Sequence, residues 1–233
     1  MKSEEKSEQS NYLVIAFFAF LGVIFVQKFF PGVIPFNTFE FWEMKGPLLD
    51  AIKTSWFLFL WVIVVTVITI FRKIETIEES PKKILAGGFI SSAFAGITEE
   101  ISFRWLIFLH CIWVIQLINY IFFGFAGFGI SEWIYTIILI PIASFLSLGA
   151  LDAILYSPIG WFIGAAVLLS NAMFRDGHKY LGLLGYVNSW FVGLYLFYLM
   201  FEFGLISSIV IHFLYDMVIF VIIFIGICVN NRR

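Results

Sequence analysis

Polar residues interrupt this chain rarely and in clusters, and the apolar stretches between the clusters set the expected elements. A helix crossing a bilayer needs about 17–25 mainly apolar residues. Stretches that meet or approach this length lie at about 12–26, 52–71, 133–151, 158–173, 181–201 and 205–229. The run from 84 to 123 is about twice as long as one crossing requires. It reads either as two crossings or as one long tilted helix with an interfacial piece. No stretch alternates apolar and polar residues with period two, which argues against a transmembrane β-barrel. The expected fold class is therefore all-α, a polytopic transmembrane helix bundle. Counting the long run twice gives eight membrane helices.

The segments between these runs organise the chain. Residues 1–11 are polar and of mixed charge and read as a disordered tail. Residues 12–229 read as a single transmembrane domain, and 230–233 as a basic tail. The first apolar run leads into Gln27 and Lys28 rather than a small-residue cleavage site, so it reads as a retained crossing and not as a signal peptide. The connection from 30 to 47 carries Pro, Gly and Asn together with Phe and Trp, a composition suited to a membrane interface.

Composition agrees with this pattern. The chain of 233 residues is 61% hydrophobic and 13% charged, against about 45–50% and about 25% in soluble domains. No segment has the Lys and Arg density that nucleic-acid binding needs. Cys111 and Cys228 lie in apolar runs and read as small buried hydrophobes.

Basic residues collect at 72–83, at Arg175 and Lys179, and at Arg232 and Arg233, whereas 124–132, 152–157 and 202–204 carry none. With eight crossings these clusters and both termini share the cytoplasmic side, as the positive-inside rule favours; seven would place two clusters outside. The expected location is thus the cell membrane or an endomembrane, multi-pass. Gly160 and Gly164 form a G-x-x-x-G that reads as helix packing within the chain rather than a dimer face.

Against so apolar a background the ionisable groups are few. Glu99, Glu100 and Arg104 stand within 93–107, where nearly every other residue is apolar or small. A charge at membrane depth costs about 2.5–3.5 kcal/mol on insertion scales. Such groups are either mutually neutralised glue or the working part of the protein. On an α-helix Glu100 and Arg104 are neighbours one turn apart, while Glu99 points about 100° away. Arg104 can then hold Glu100 ionised while Glu99 meets a different environment, and two carboxylates in unlike surroundings can take unlike roles.

The second group is Phe174-Arg175-Asp176-Gly177-His178, at the end of an apolar run. The third is His212-Phe213-Leu214-Tyr215-Asp216, inside the last run. His212 and Asp216 are one helical turn apart, so the carboxylate can orient the ring or share a polar cavity with it. His110 lies on nearly the same helix face as Glu99 but about 16 Å along the axis, too far for direct cooperation. Glu132, Asp152 and Glu202 read as solvated residues in loops or at the end of a run.

Glu-Glu-x-x-x-Arg, then Phe-x-x-x-His, then His-x-x-x-Asp/Asn, in that order on membrane helices, is the pattern of the CAAX protease and bacteriocin-processing family. This chain resembles that family through Glu99, Glu100 and Arg104, through Phe174 and His178, and through His212 and Asp216. The likeness extends to Phe103, to Gly193, and to the approach Gly204-Leu205-Ile206-Ser207-Ser208-Ile209 before His212. It covers about residues 84–229. Two features depart from the family. Members usually have the first two motifs much closer together, and an extra helical hairpin at about 124–160 would account for the distance here. Asp216 stands where many members have Asn, which donates a hydrogen bond that an ionised Asp cannot.

The resemblance implies an intramembrane endopeptidase of the glutamate-dependent kind, with its cavity between the motif helices and open to the cytoplasm. It implies no cofactor. Hydrophobic or prenylated peptides would be the substrates and membrane lipid the surroundings. Glu99, with His178, would activate water; His212 and Asp216 would serve the oxyanion; Glu100 and Arg104 would support the helix, beside Phe174. Three other readings stand beside it. Two His and one Glu are also a plausible zinc set, although no His-Glu-x-x-His occurs. A non-catalytic immunity or peptide-binding protein could use the same cavity. A transporter could use the carboxylates as a proton relay, but no inverted repeat is visible.

Overall fold

The computed structural model describes residues 2–70 and 80–230, with side chains described from Val14 to Thr69 and from Ser80 to Asn230. The charged stretch at 72–79 and the C-terminal 231–233 lie outside the described residues. Among those described, all regular structure is helical. The helices are α1 (Lys2–Phe29), α2 (Leu48–Thr54), α3 (Trp56–Ile70), α4 (Pro81–Glu99), α5 (Phe108–Ile121), α6 (Ile130–Ile134), α7 (Ile140–Leu146), α8 (Asp152–Leu155), α9 (Trp161–Gly177), α10 (Gly182–Phe203) and α11 (Leu205–Asn230). π-helical segments at Glu100–Ile107 and Tyr135–Leu139 join α4 to α5 and α6 to α7. The polar tail at 1–11 is drawn into α1, which begins at Lys2.

Among the described residues three helices are long and apolar enough to cross a membrane: Pro81–Ile121, Lys179–Phe203 and Leu205–Asn230. A fourth arises if α2 and α3, bent by 51° at their junction, count as one span. The 84–123 run thus forms one continuous helix of 41 residues and not two crossings joined by a turn. Its wider π segment absorbs the polar residues without a break.

The chain divides into two packing units where the sequence reads as one domain. One comprises Met1–Phe41 with Ile101–Tyr198, and the other Trp42–Glu100 with Leu199–Arg233.

In the second unit, α4 packs along α11. Ser80 caps α4, its Oγ accepting from Lys83 N, and Pro81 occupies the first turn, where no backbone donor is needed. Buried Gly88, Ser92 and Gly96 then recur every fourth residue. A Cβ on Gly88 would lie 2.3 Å from the Phe220 ring, and one on Gly96 would lie 3.1 Å from Ile209 O. This small-residue stripe lets the two backbones approach closely. At the head of α11, Gly204 has φ +95° and presses against Glu43 O, where a Cβ would lie 2.3 Å away. Only glycine fits that turn.

In the first unit, α5 packs against α9 and α1. The irregular segment after α1 turns Ile34, Phe36, Thr38 and Phe41 inward, with Phe41 fully enclosed. Side chains satisfy its backbone: Gln27 Nε2 donates to Phe36 O (2.7 Å), Trp105 Nε1 to Thr38 O (2.6 Å) and Gln116 Nε2 to Val33 O (2.8 Å). Irregular backbone is tolerated at membrane depth only where it is enclosed in this way or lines a water-filled cavity. The stretch 124–160, expected as a helical hairpin, forms one apolar helix over Ile130–Leu146, made of α6, a π segment and α7, followed by the short α8. Gly164 packs inside the chain, where a Cβ would lie 1.9 Å from Tyr135 Oη and 2.7 Å from Leu155 O.

Candidate active site

The glycine stripe of α4 continues at the same spacing to Glu100, the first residue of the π segment. On α11 the matching stripe is Ser208, His212 and Asp216, again four apart. The close approach of the two helices sets Glu100 directly against this second stripe. Glu100 is fully buried. Its Oε2 accepts from Ser208 Oγ at 2.6 Å, and its Oε1 lies 2.7 Å from His212 Nδ1. A buried carboxylate accepting two hydrogen bonds is well satisfied. Because a carboxylate only accepts, the contact assigns the Nδ1 proton to His212 and leaves Nε2 for other work.

That nitrogen faces two more carboxylates. Glu99 Oε2 and Asp216 Oδ2 each lie 3.9 Å from His212 Nε2. The distance is too long for a direct hydrogen bond and suits one bridged by water. The exposures separate the two glutamates: the Glu99 side chain is 29% accessible and that of Glu100 is 0%. Asp216 resembles Glu99 at 24%. The sequence left Asp216 either to orient the His212 ring or to share its polar surroundings, and the structure sets it 3.9 Å from Nε2. Glu100 grips the orienting nitrogen, and Asp216 stands at the other one.

The remaining motif residues gather in the first unit. The Arg104 guanidinium lies over the Phe174 ring at 3.9 Å and near the Phe197 ring at 5.6 Å, fully buried. Gly193 makes room for it: a Cβ there would lie 2.0 Å from Asn171 Oδ1, 2.8 Å from the Phe174 ring and 3.0 Å from Arg104 Nη2. Asn171 Nδ2 donates to Trp190 O (2.9 Å), and Ser170 Oγ to Phe103 O (2.5 Å), tying α9 to its neighbours. Arg104 is thus bound to the second motif through Phe174, a partner that the helical spacing to Glu100 does not indicate.

His178 caps the end of α9. Its Nδ1 lies 2.8 Å from Phe174 O, and its ring packs on Phe174 with centroids 4.5 Å apart. The carbonyl contact places the proton on Nδ1. Beside it Asp176 accepts from Lys179 (2.9 Å), Arg175 (2.7 Å) and Tyr186 (3.1 Å). The Lys179 and Arg175 hydrogen bonds hold the Asp176 carboxyl down at about 2. His110, read as structural, has its Nδ1 on Leu106 O at 2.8 Å.

Sequence reasoning missed Ser208 as a site residue and Asn171 altogether. Ser208 was findable, being one turn before His212 on the face that also carries Asp216. Asn171 had no such signal, because its contact with Trp190 lies across a helix pair. Among the described residues no set of three or more His, Cys, Asp and Glu is arranged to hold a metal ion. No protein-family model, no curated protein and no solved structure matches this chain.

Proposed function

We propose that this protein is a membrane-embedded peptidase that hydrolyses a hydrophobic or lipidated peptide. The carrying observation is the array in which Glu100, held by Ser208, contacts His212 Nδ1, while Glu99 and Asp216 lie 3.9 Å from Nε2. The order of motifs on membrane helices supports the same reading, as does the resemblance to the CAAX protease and bacteriocin-processing family that those motifs carry.

In this mechanism Glu99, the more accessible glutamate, takes a proton from water. The hydroxide adds to the scissile carbonyl. His212, protonated at Nε2, donates to the developing oxyanion, and Glu100 keeps the ring aimed. Glu99 then passes its proton to the leaving nitrogen. The C–N bond breaks, giving a carboxylate and an amine. Asp216 lies beside the same nitrogen and donates a hydrogen bond only when protonated. Ser208 holds Glu100 and takes no part in bond making. The groups would need no metal. We place both termini and the opening of the site on the cytoplasmic face of a multi-pass membrane protein, since the basic clusters fall there.

The test is cleavage by purified protein in proteoliposomes, read by mass spectrometry over hydrophobic and lipidated peptides. Wild type should cleave, and Glu99→Gln should not, with its unfolding temperature unchanged. Undiminished cleavage by Glu99→Gln would remove the assignment.

A further inference from the structure

The insertion between the first and second motifs does not behave as a pair of crossings. It leaves the end of α5, where Ile130 N donates to Phe122 O (3.3 Å) and Glu132 N to Asn119 Oδ1 (3.1 Å). It runs outward through the π segment and α7, turns at Leu148 and Gly149, and comes back through α8. The return is fixed by one bond: Tyr135 Oη donates to Leu155 O at 2.7 Å. Gly164, in the first turns of α9, meets both of those groups. Tyr135, Leu155 and Gly164 therefore lie at one level.

That closure limits the excursion. From Tyr135 to Leu146 a helix rises about 16 Å, roughly half of a hydrocarbon core of about 30 Å. The surface of the excursion is apolar: Ile142, Phe145, Leu146 and Leu148 are all exposed, Leu148 at 93%. The only charged residues from 124 to 160 are Glu132 and Asp152, near the two ends. An exposed leucine with φ +51° at the tip of a turn is out of place in water. In hydrocarbon its side chain is at home.

We infer that residues 130–155 form a re-entrant element, dipping part-way into the lipid from one face and leaving by the same face. Its partner is the acyl-chain region of the bilayer. The consequence is a count of six crossings: α1, α2 with α3, the 41-residue helix, α9, α10 and α11. Both termini and the basic residues at 175–179 still fall on one side, so the charge pattern that favoured eight crossings is met by six.

Single cysteines at Ser131, Leu148 and Ser157 in the full chain, with Cys111 and Cys228 replaced by Ala, test this in sealed vesicles of both orientations. An impermeant maleimide should label Ser131→Cys and Ser157→Cys from the same side and leave Leu148→Cys unlabelled from either. A bimane attached at position 148 through a permeant reagent should be quenched by mid-chain spin-labelled lipid. Labelling of the 131 and 157 positions from opposite sides would overturn the inference, as would labelling of position 148 from either side. If the Cys-free background does not fold, tags inserted at 128 and 157 in the native chain read the same sidedness. None of these outcomes depends on peptidase activity.

Discussion

The two groups of motif residues bury charge by opposite means. Around Glu100 the neighbours are polar, and Ser208 and His212 satisfy the carboxylate by hydrogen bonds. Around Arg104 the neighbours are aromatic, and the cation lies under the Phe174 and Phe197 rings. Both rely on a glycine that lets a helix come close, Gly96 in one case and Gly193 in the other. Hydrogen bonding aims a group and cation–π contact holds one in place. The first group is therefore suited to chemistry, and the second to fixing the helix that carries Phe174 and His178.

Removing the acceptor should have the largest effect. Glu100→Ala removes the acceptor of the Ser208 Oγ and His212 Nδ1 hydrogen bonds, and hydrogen bonds to a charged group are worth about 1.5–3 kcal/mol each. Thermal unfolding in detergent should show the loss, and cleavage should fall with it. Glu99→Gln should leave stability nearly unchanged, since Glu99 is part-exposed. Equal destabilisation by the two variants would break the contrast between these glutamates.

On the aromatic side, Gly193→Ala places a methyl 2.0 Å from Asn171 Oδ1 and 3.0 Å from Arg104 Nη2. Overpacking of this kind costs about 1–3 kcal/mol. The unfolding midpoint should drop, while a nitrogen-15 spectrum of His212 at constant pH should not move. A shift of that spectrum would mean that the two groups are one unit.

The smallest effect belongs to Asp176. Its carboxyl is held at about 2, below the ordinary 3.8, by Lys179 and Arg175. A depressed acid adds stability above 3.8 that disappears as pH falls through about 2. Because the Asp176 side chain is exposed, the effect is screened and small. Asp176→Asn should flatten the decline of the unfolding midpoint between those two pH values and leave the neutral-pH midpoint nearly unchanged.

Much of this was legible in the sequence, and unevenly. The helical class followed from apolar run lengths, and the candidate site from ionisable residues stranded among them. The division of the two glutamates was half legible. A 100° rotation separates Glu99 from Glu100, but spacing alone does not show that Glu100 bonds Ser208 and His212 or that Arg104 lies over Phe174. Partners on another helix do not show in local spacing. The stripe Gly88, Ser92, Gly96, Glu100 was a usable sign of close packing, and with Ser208, His212, Asp216 it marks the two faces that meet. The 84–123 run left two readings open, two crossings or one long helix, and the structure has one helix over Pro81–Ile121. The insertion was legible as extra length, but its closure depends on Tyr135 reaching Leu155, which no periodicity reveals.

The central claim is that Glu100 aims His212 and Glu99 acts beside it. Nitrogen-15 NMR of histidine-labelled protein, with His212 assigned by substitution, tests this most directly. The account predicts a proton on His212 Nδ1 that persists in Glu99→Gln and is lost or weakened in Glu100→Gln, with Nε2 responding to added peptide. A bare Nδ1 in the wild type, or an Nδ1 signal indifferent to Glu100→Gln, would contradict it.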